Sequence, residues 1–255
     1  MRVNADSLRI EEAGLKALQT QRQLFFDGWL LRMSPGKAKR GRSVNPHFGS
    51  SLPLDAKIDR CERLYAAHRL PALFRITPFC KPHHLDAALE HRGYVEFDET
   101  LVQVAKIAPA HRARRIRDDV ELVDVPVAAF VEAGGTLRGS PAGQRNAHLE
   151  RLAHSPLAAH AIVARTDGRT LACGQVALDG DLAGIYDMVT APSSRRRGIA
   201  TAIVDALLAY AGERGASRAF LQGDDDNAAA LAVYRKFGFA TVYTYHYRAR
   251  AGECA

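Results

Sequence analysis

The sequence predicts an α/β chain built from two related halves, each of strands interleaved with helices. Three observations carry that prediction. Helical apolar spacing alternates with short strand-like apolar runs along the whole chain. A charged segment without apolar periodicity, APAHRARRIRDD (108–119), falls near the middle and reads as a solvated linker. Both halves also end in the same succession of helix, strand, helix, glycine–aromatic pair and strand, with Gly93 and Gly238 standing 145 positions apart. The same ungapped shift sets Ile58 on Ile203, Tyr65 on Tyr210, Ala66 on Ala211 and Arg69 on Arg214, and it sets LFRIT (73–77) on RAFLQ (218–222). We read this as an internal duplication, dividing the chain into 1–110 and 118–255.

In the first half, residues 7–20 read as a helix capped by Asp6 or Ser7, with Glu11 and Glu12 in its early turns. QLFFDGWLLRMS (23–34) is rich in large apolar residues and is interrupted by Gly28, so it reads as a strand pair or a bulged strand. Pro35-Gly36 turns the chain. A helix at 55–69, the strand 73–77, a short helix at 85–92 and a strand over 94–107 follow. In the second half, DVELVDV (119–125) is a strand and helices are expected at 126–137 and 142–153. AHAIVAR (159–165), LACGQVAL (171–178) and AGIYDMVT (183–190) are consecutive strands separated by Asp167-Gly168 and Gly180-Asp181 turns. A long helix at 198–214 repeats Ile199, Ile203, Leu207 and Tyr210 at helical spacing, ends on Arg214 and is closed by Gly215. The strand 218–222, a helix at 228–237 stopped by Gly238, and a strand at 239–249 complete the chain.

Composition narrows the class. With 47% apolar and 25% charged residues the chain is globular rather than disordered. The 35 Lys+Arg against 28 Asp+Glu give +7 and suit an anionic partner. No apolar run reaches the roughly 18–20 residues of a membrane span; ATAIVDALLAYAG (200–212) is broken by Asp205. The N-terminus lacks a signal-peptide core, so a cytoplasmic protein without a membrane partner is expected. Cys61, Cys80, Cys173 and Cys254 are too scattered for a disulfide framework. Cys80, His83 and His84 lack a fourth ligand at suitable spacing, so no metal is assigned. The arginines of 108–119 invite a nucleic-acid reading, but the usual motifs are missing and no nucleic-acid partner is expected.

The chemistry concentrates in TAPSSRRRGIATAI (190–203), a strand end running through an arginine-rich turn into a helix. Gly198 permits a sharp turn and close ligand approach, and Ala200 leaves the helix start uncrowded. The free N–H groups of such a helix start, with Arg195, Arg196 and Arg197 beside them, suit a pyrophosphate. Asn227 then stands as an N-cap or ligand amide before AAALAVYRKFGF (228–239), and Tyr234 lies two turns further along the same face.

Residues 119–249 resemble the GNAT superfamily of acyl-CoA-dependent N-acetyltransferases. Arg195-x-x-Gly198-x-Ala200 is similar to that family's Q/R-x-x-G-x-G/A signature, and Asn227, Ala230, Tyr234, Gly238 and Phe239 follow its second conserved segment. The resemblance implies an α/β fold of two tandem GNAT-like domains, each a central mixed, mostly antiparallel sheet flanked by helices, with acetyl-CoA as co-substrate and an amine as acceptor. Backbone groups of Met188, Val189 and Thr190 would bind the pantetheine arm. The loop from Arg195 through Arg196, Arg197, Gly198, Ile199 and Ala200 to Thr201 would bind the pyrophosphate. Asn227 and Tyr234 would then approach the thioester, with Tyr234 protonating the leaving thiolate and a backbone N–H near Val189 stabilising the oxyanion.

A base is needed because an alkyl ammonium with a pKa near 10.4 is only about 0.1% neutral at pH 7. Some relatives carry a glutamate where this chain has Gln222; others use the fourth strand, where it offers Tyr186 and Asp187. Asp187 is the preferred base, with Asp224, Asp225 and Asp226 or a base-free desolvation as alternatives. Tyr243, Tyr245, His246 and Tyr247 are read as sheet packing or as the acceptor lining. At an offset of 145 the anion loop falls on Ser50–Asp55, which lacks its glycine and arginines, and Tyr234 falls on Leu89. The first half is therefore read as a degenerate copy that shapes the acceptor site or supports a homodimer. KAKRGR (37–42) is read as a solvated loop or a contact to an anionic acceptor. The alternative to an enzyme is a non-catalytic acyl-CoA-binding regulatory module.

Overall fold

The computed structural model describes residues 5–108 and 119–254. Most of the expected linker, and with it the division at 110/118, lies outside the described residues. The first half runs α1 (Ala5–Lys16), β1 (Gln23–Phe26), β2 (Trp29–Arg32), β3 (Ser43–Asn45), α2 (Leu54–Ala67), β4 (Leu73–Ile76), α3 (Leu85–His91) and β5 (Tyr94–Lys106). The second runs β6 (Glu121–Asp124), α4 (Val127–Arg138), α5 (Ala142–Ala153), β7 (Ala158–Thr166), β8 (Arg169–Asp179), β9 (Leu182–Thr190), α6 (Ile199–Glu213), β10 (Arg218–Asp224), α7 (Ala228–Arg235) and β11 (Ala240–Arg250). Expected and observed elements differ mainly by a residue or a few at their ends. Asp27 and Gly28 at φ 43° and 83° close the β1–β2 hairpin, a backbone twist that suits paired antiparallel strands. The short strand β3, unmarked in the sequence, is the one added strand among the described residues; three residues are too few to show a period.

All strands among the described residues join one mixed sheet in the order β1-β2-β3-β4-β11-β5-β10-β9-β8-β7-β6. The pairs β3–β4 and β9–β10 are parallel and the rest antiparallel. The centre departs from two self-contained halves. β5 lies between β10 and β11, and β11 lies between β4 and β5. Each half's last strand therefore sits beside the other half's penultimate strand. The duplicated strands offer equivalent edges, and pairing β5 with β11 joins the halves without leaving an open edge.

Four apolar clusters follow among the described residues, one of them joining Phe130 and Val131 of α4 to Val163 and Cys173. Trp29, Ile58, Phe74 and Leu85 fill the first half. Ile199, Ile203, Leu207 and Leu221 join α6 to the second half. Ile10, Leu73, Phe220, Tyr243, Tyr245 and Tyr247 fill the junction under α1. There the buried Glu11 carboxylate pairs with Arg75 of β4 and accepts the Tyr243 hydroxyl of β11 at 2.8 Å. His246 and Arg248 share Asp86 in another ion-pair cluster, with the carboxylate of Glu96 also nearby. Tyr243, Tyr245 and Tyr247 thus serve packing, one of the two readings their pattern allowed. No helix among the described residues is long and apolar enough to cross a membrane.

Candidate active site

The cleft begins where two parallel strands part. β9 and β10 pair from Leu182↔Arg218 to Ile185↔Leu221 and then separate. Next to that point the β8–β9 register slips between Cys173↔Val189 and Gln175↔Tyr186, and Asp187 takes φ 55°. An extra residue in one strand increases its twist and bends it away from its neighbour. Gly174 makes room for the bulge: a Cβ there would sit 2.1 Å from Met188 Sδ and 3.0 Å from Ile203. Ala191 donates to Leu171, and the pairing continues in register through Thr190↔Ala172 and Val189↔Cys173. Strand alternation therefore turns the Val189 N–H toward β8 and those of Met188 and Thr190 toward the cleft. The oxyanion donor expected near Val189 is thus better sought in its two neighbours.

Beyond β9 the chain makes a short 3-10 turn, Pro192–Ser194, with Arg196 at φ 60° and Gly198 at φ 79° before α6. The left-handed glycine directs the first N–H groups of α6 into the cleft, where they and the positive helix end favour an anion. Arg195 and Arg196 line this opening, whereas Arg197 pairs with Asp119 at 2.9 Å and does not. Across the cleft Asn227 caps α7, its Oδ1 accepting the Ala230 N–H at 3.2 Å. Tyr234 is half-buried with its ring against Phe239, and burial raises its phenol above the ordinary value.

The space between these elements measures about 970 Å³. It collects Asp187, Met188, Val189, Thr190, Arg195, Arg196, Gly198, Ile199, Ala200, Thr201, Asn227 and Tyr234, so of the expected site residues only Arg197 points elsewhere. Its other end is walled by Arg151 and Leu152 of α5, Gln175 of β8 and Tyr186 of β9. The first half closes it with Ala17, Leu18, Ala38 and Arg40.

Asp187 is not suited to the base role expected of it. Burial would raise its pKa, but the hydrogen bond and charge of His148, followed by Arg151 and Arg138, hold it far below the usual carboxylate range. Its Oδ2 accepts from Gln175 at 2.7 Å and His148 Nε2 at 3.0 Å, and its backbone oxygen accepts from Arg138 at 2.9 Å. So strong an acid is a poor proton acceptor near neutral pH, but as a fixed anion it can hold an ammonium. Asp224, also on the cleft, has its carboxyl raised by burial and then by Asp98 and Asp226. Gln222 accepts the Tyr245 hydroxyl at 3.0 Å, and its amide leaves no room for a Cβ at Gly14 of α1.

His148, Arg151 and Gln175 escaped the sequence reading as site residues, whereas Arg40 lies in the KAKRGR segment that it allowed as a contact to an anionic acceptor. His148 and Arg151 stand at i, i+3 on α5, so one face of that helix brings both to Asp187. In the first half the counterpart of the anion loop is already filled. The Asp27 carboxylate accepts from the N–H groups of Ser51 (2.9 Å) and Leu52 (3.1 Å) just before α2, and the buried Lys57 lies 3.4 Å from it. An internal carboxylate therefore takes the position in which an anion would bind, which matches the loss of glycine and arginines there.

Comparison with known proteins agrees with this geometry. Residues 130–239 match the sequence model of the acetyltransferase (GNAT) family. An uncharacterized N-acetyltransferase of Bacillus subtilis (strain 168), YobR, is 25% identical over 246 residues, covering 95% of this chain and 98% of its own. A GCN5-related N-acetyltransferase from Kribbella flavida superposes with a TM-score of 0.65 at 18% identity, over 96% of this chain and 95% of that one. A tandem GNAT protein from the clavulanic acid biosynthesis pathway gives 0.62 at 15% identity, over 76% and 68% of the two chains. Residues 130–239 are thus similar to an acetyltransferase domain of the GNAT family, and the first half supplies one wall of the cleft they help to form.

Proposed function

We propose that the protein transfers the acetyl group of acetyl-CoA to a primary amine by direct attack. The observation that carries this reading is the strand parting at the Asp187 bulge, which runs without a break into the glycine-capped start of α6. The residues present fit the co-substrate. Arg195, Arg196 and the first N–H groups of α6 would hold its pyrophosphate, and the cleft-facing backbone of Met188 and Thr190 would hold its pantetheine arm. Acetyl-CoA supplies an activated acyl carbonyl with a thiolate leaving group.

The chain's own residues do the rest. Asp187 attracts and orients the acceptor ammonium. The apolar wall of Leu18 and Leu152 limits water, which lowers the cost of presenting the amine neutral. Asp224, with its raised carboxyl, is the cleft carboxylate better matched to receive the amine proton. A Met188 or Thr190 N–H donates to the oxygen that gains charge as the amine bonds to the carbonyl carbon. Tyr234 gives its proton to the departing sulfur as the carbon–sulfur bond breaks.

The test is thiol release from acetyl-CoA across a broad panel of amines. Release that requires an amine, with a matching acetylated product by mass spectrometry, is expected. Stabilisation by acetyl-CoA without turnover of any amine would leave the non-catalytic acyl-CoA-binding module instead. Arg196→Ala is expected to raise KM for acetyl-CoA about three- to tenfold with kcat nearly unchanged, because it removes binding common to ground and transition states. The effect shrinks at high salt, as for an exposed charge contact. An unchanged KM at low salt would remove Arg196 from the anion site.

A further inference from the structure

The acetyl-transfer reading leaves the acceptor's chemistry open, and the far end of the cleft narrows it. Arg40 enters from the 3-10 turn Lys39–Gly41 of the first half, and Arg151 enters from α5 of the second. Arg40 Nη1 and Arg151 Nε are buried and have no hydrogen-bond partner among the described residues. The Arg40 guanidinium lies 5.9 Å from the Tyr186 ring centroid, a contact that supports the cation without using its N–H donors. Arg151 approaches a carboxylate only at 4.0 Å, at an Asp187 oxygen already shared by His148 and Gln175.

The surroundings add to this positive field. Arg32 is 2% exposed, and its Nε and Nη1 have no hydrogen-bond partner among the described residues. Arg75 stands behind it over the Tyr245 ring, 3.8 Å from the centroid. Glu11 answers Arg75, and burial keeps the His47 imidazole below its ordinary pKa and so neutral near pH 7. Buried guanidinium donors left unpaired are unfavourable, whereas a planar carboxylate matches two such donors at once. A polycationic amine would meet like charge in the same place.

The geometry points to an acceptor that carries a carboxylate close to its amine, as an amino acid does. Arg40 and Arg151 hold the carboxylate while Asp187 holds the ammonium beside the parting of β9 and β10. This inference rests on the acetyl-transfer reading, because it places the amine at the thioester end of the same cleft. It also gives the degenerate first half a specific role, since Arg40 belongs to that half.

Calorimetry on the CoA-saturated protein tests it, with N-acetyl amino acids and their matching N-acetyl amides as probes. The best carboxylate is expected to bind at least about tenfold tighter than its amide. That preference disappears in Arg40→Met and returns in part in Arg40→Lys, and Arg151→Met lowers it independently. Retention of the CoA-induced thermal shift in each variant shows that the fold is intact. Equal binding of acid and amide, no binding of any carboxylate, or a preference that survives Arg40→Met overturns the inference. Turnover of simple amines with no carboxylate preference would overturn it while leaving acetyl transfer standing. Carboxylate-selective binding without thiol release from any amine would instead keep the subsite and overturn acetyl transfer.

Discussion

Tyr234→Phe is expected to lower kcat about 100-fold while changing the Kd for acetyl-CoA by less than about threefold. The phenol is half-buried on the cleft, on the same helix that Asn227 caps. Burial raises its pKa, so the proton stays on the oxygen throughout the neutral range. The departing thiolate is a base, so it gains from a positioned donor as the carbon–sulfur bond breaks. The ring's packing against Phe239 survives the substitution, which isolates the hydroxyl. Because the protonated form is the active one, any loss of kcat from Tyr234 ionisation lies above the ordinary tyrosine pKa of about 10 and is missing in the variant. Full activity in Tyr234→Phe, measured as thiol release under acetyl-CoA saturation, would remove the acid role.

Glu11→Ala should be the most damaging single change at the junction, costing about 3–5 kcal/mol of unfolding free energy. Glu11 and Arg75 are each 1% exposed, so the variant leaves a guanidinium buried without its counter-charge and the Tyr243 hydroxyl without its acceptor. Urea unfolding at pH 7 measures the loss. Glu11→Leu combined with Arg75→Met should recover much of it, since an apolar pair leaves no charge unpaired. The pH dependence has a definite sign. Burial opposes ionisation, but Arg75, His47 and the Tyr243 hydroxyl together hold the Glu11 carboxyl down to about 2, against 4.5 when unfolded. Its contribution is complete above about pH 4.5 and is lost as pH falls toward about 2. The wild type should therefore lose stability more steeply than Glu11→Ala across that window. Equal acid slopes would show that this carboxylate is not held by its partners.

How much of this was legible in the sequence depends on the range of the interaction. Periodicity marks α6 through Ile199, Ile203 and Leu207 because each helix or strand must bury one face of its own. The Asp27-Gly28 hairpin and the Gly198 helix start are likewise local, since each is a backbone conformation that glycine adopts freely. Asn227 capping α7 and Tyr234 two turns on are separated by few enough residues for one helix to carry both into the cleft.

The misreadings all involve partners far apart in the chain. Asp187 read as a base because it stands on the fourth strand, where some relatives carry their glutamate, yet its acidity is decided by His148, Arg151 and Arg138 from other elements. Arg197 looked equivalent to Arg195 and Arg196 until Asp119 claimed its side chain. Arg40 belonged to a basic segment read either as a solvated loop or as a contact to an anionic acceptor, and only the packing of the first half against β9 brings it beside Tyr186.

By itself the sequence determined the elements, the repeated order of the two halves and the glycine-capped arginine loop, because these depend on residue type and short spacing. Only the tertiary structure decided that β5 and β11 exchange neighbours, since LFRIT and RAFLQ present equivalent edges to either partner. It also decided which charges meet. Burial and distance in three dimensions make Asp27 the occupant of the first half's loop, turn Asp187 into a fixed anion, and leave Arg40 and Arg151 facing the cleft with donors to spare.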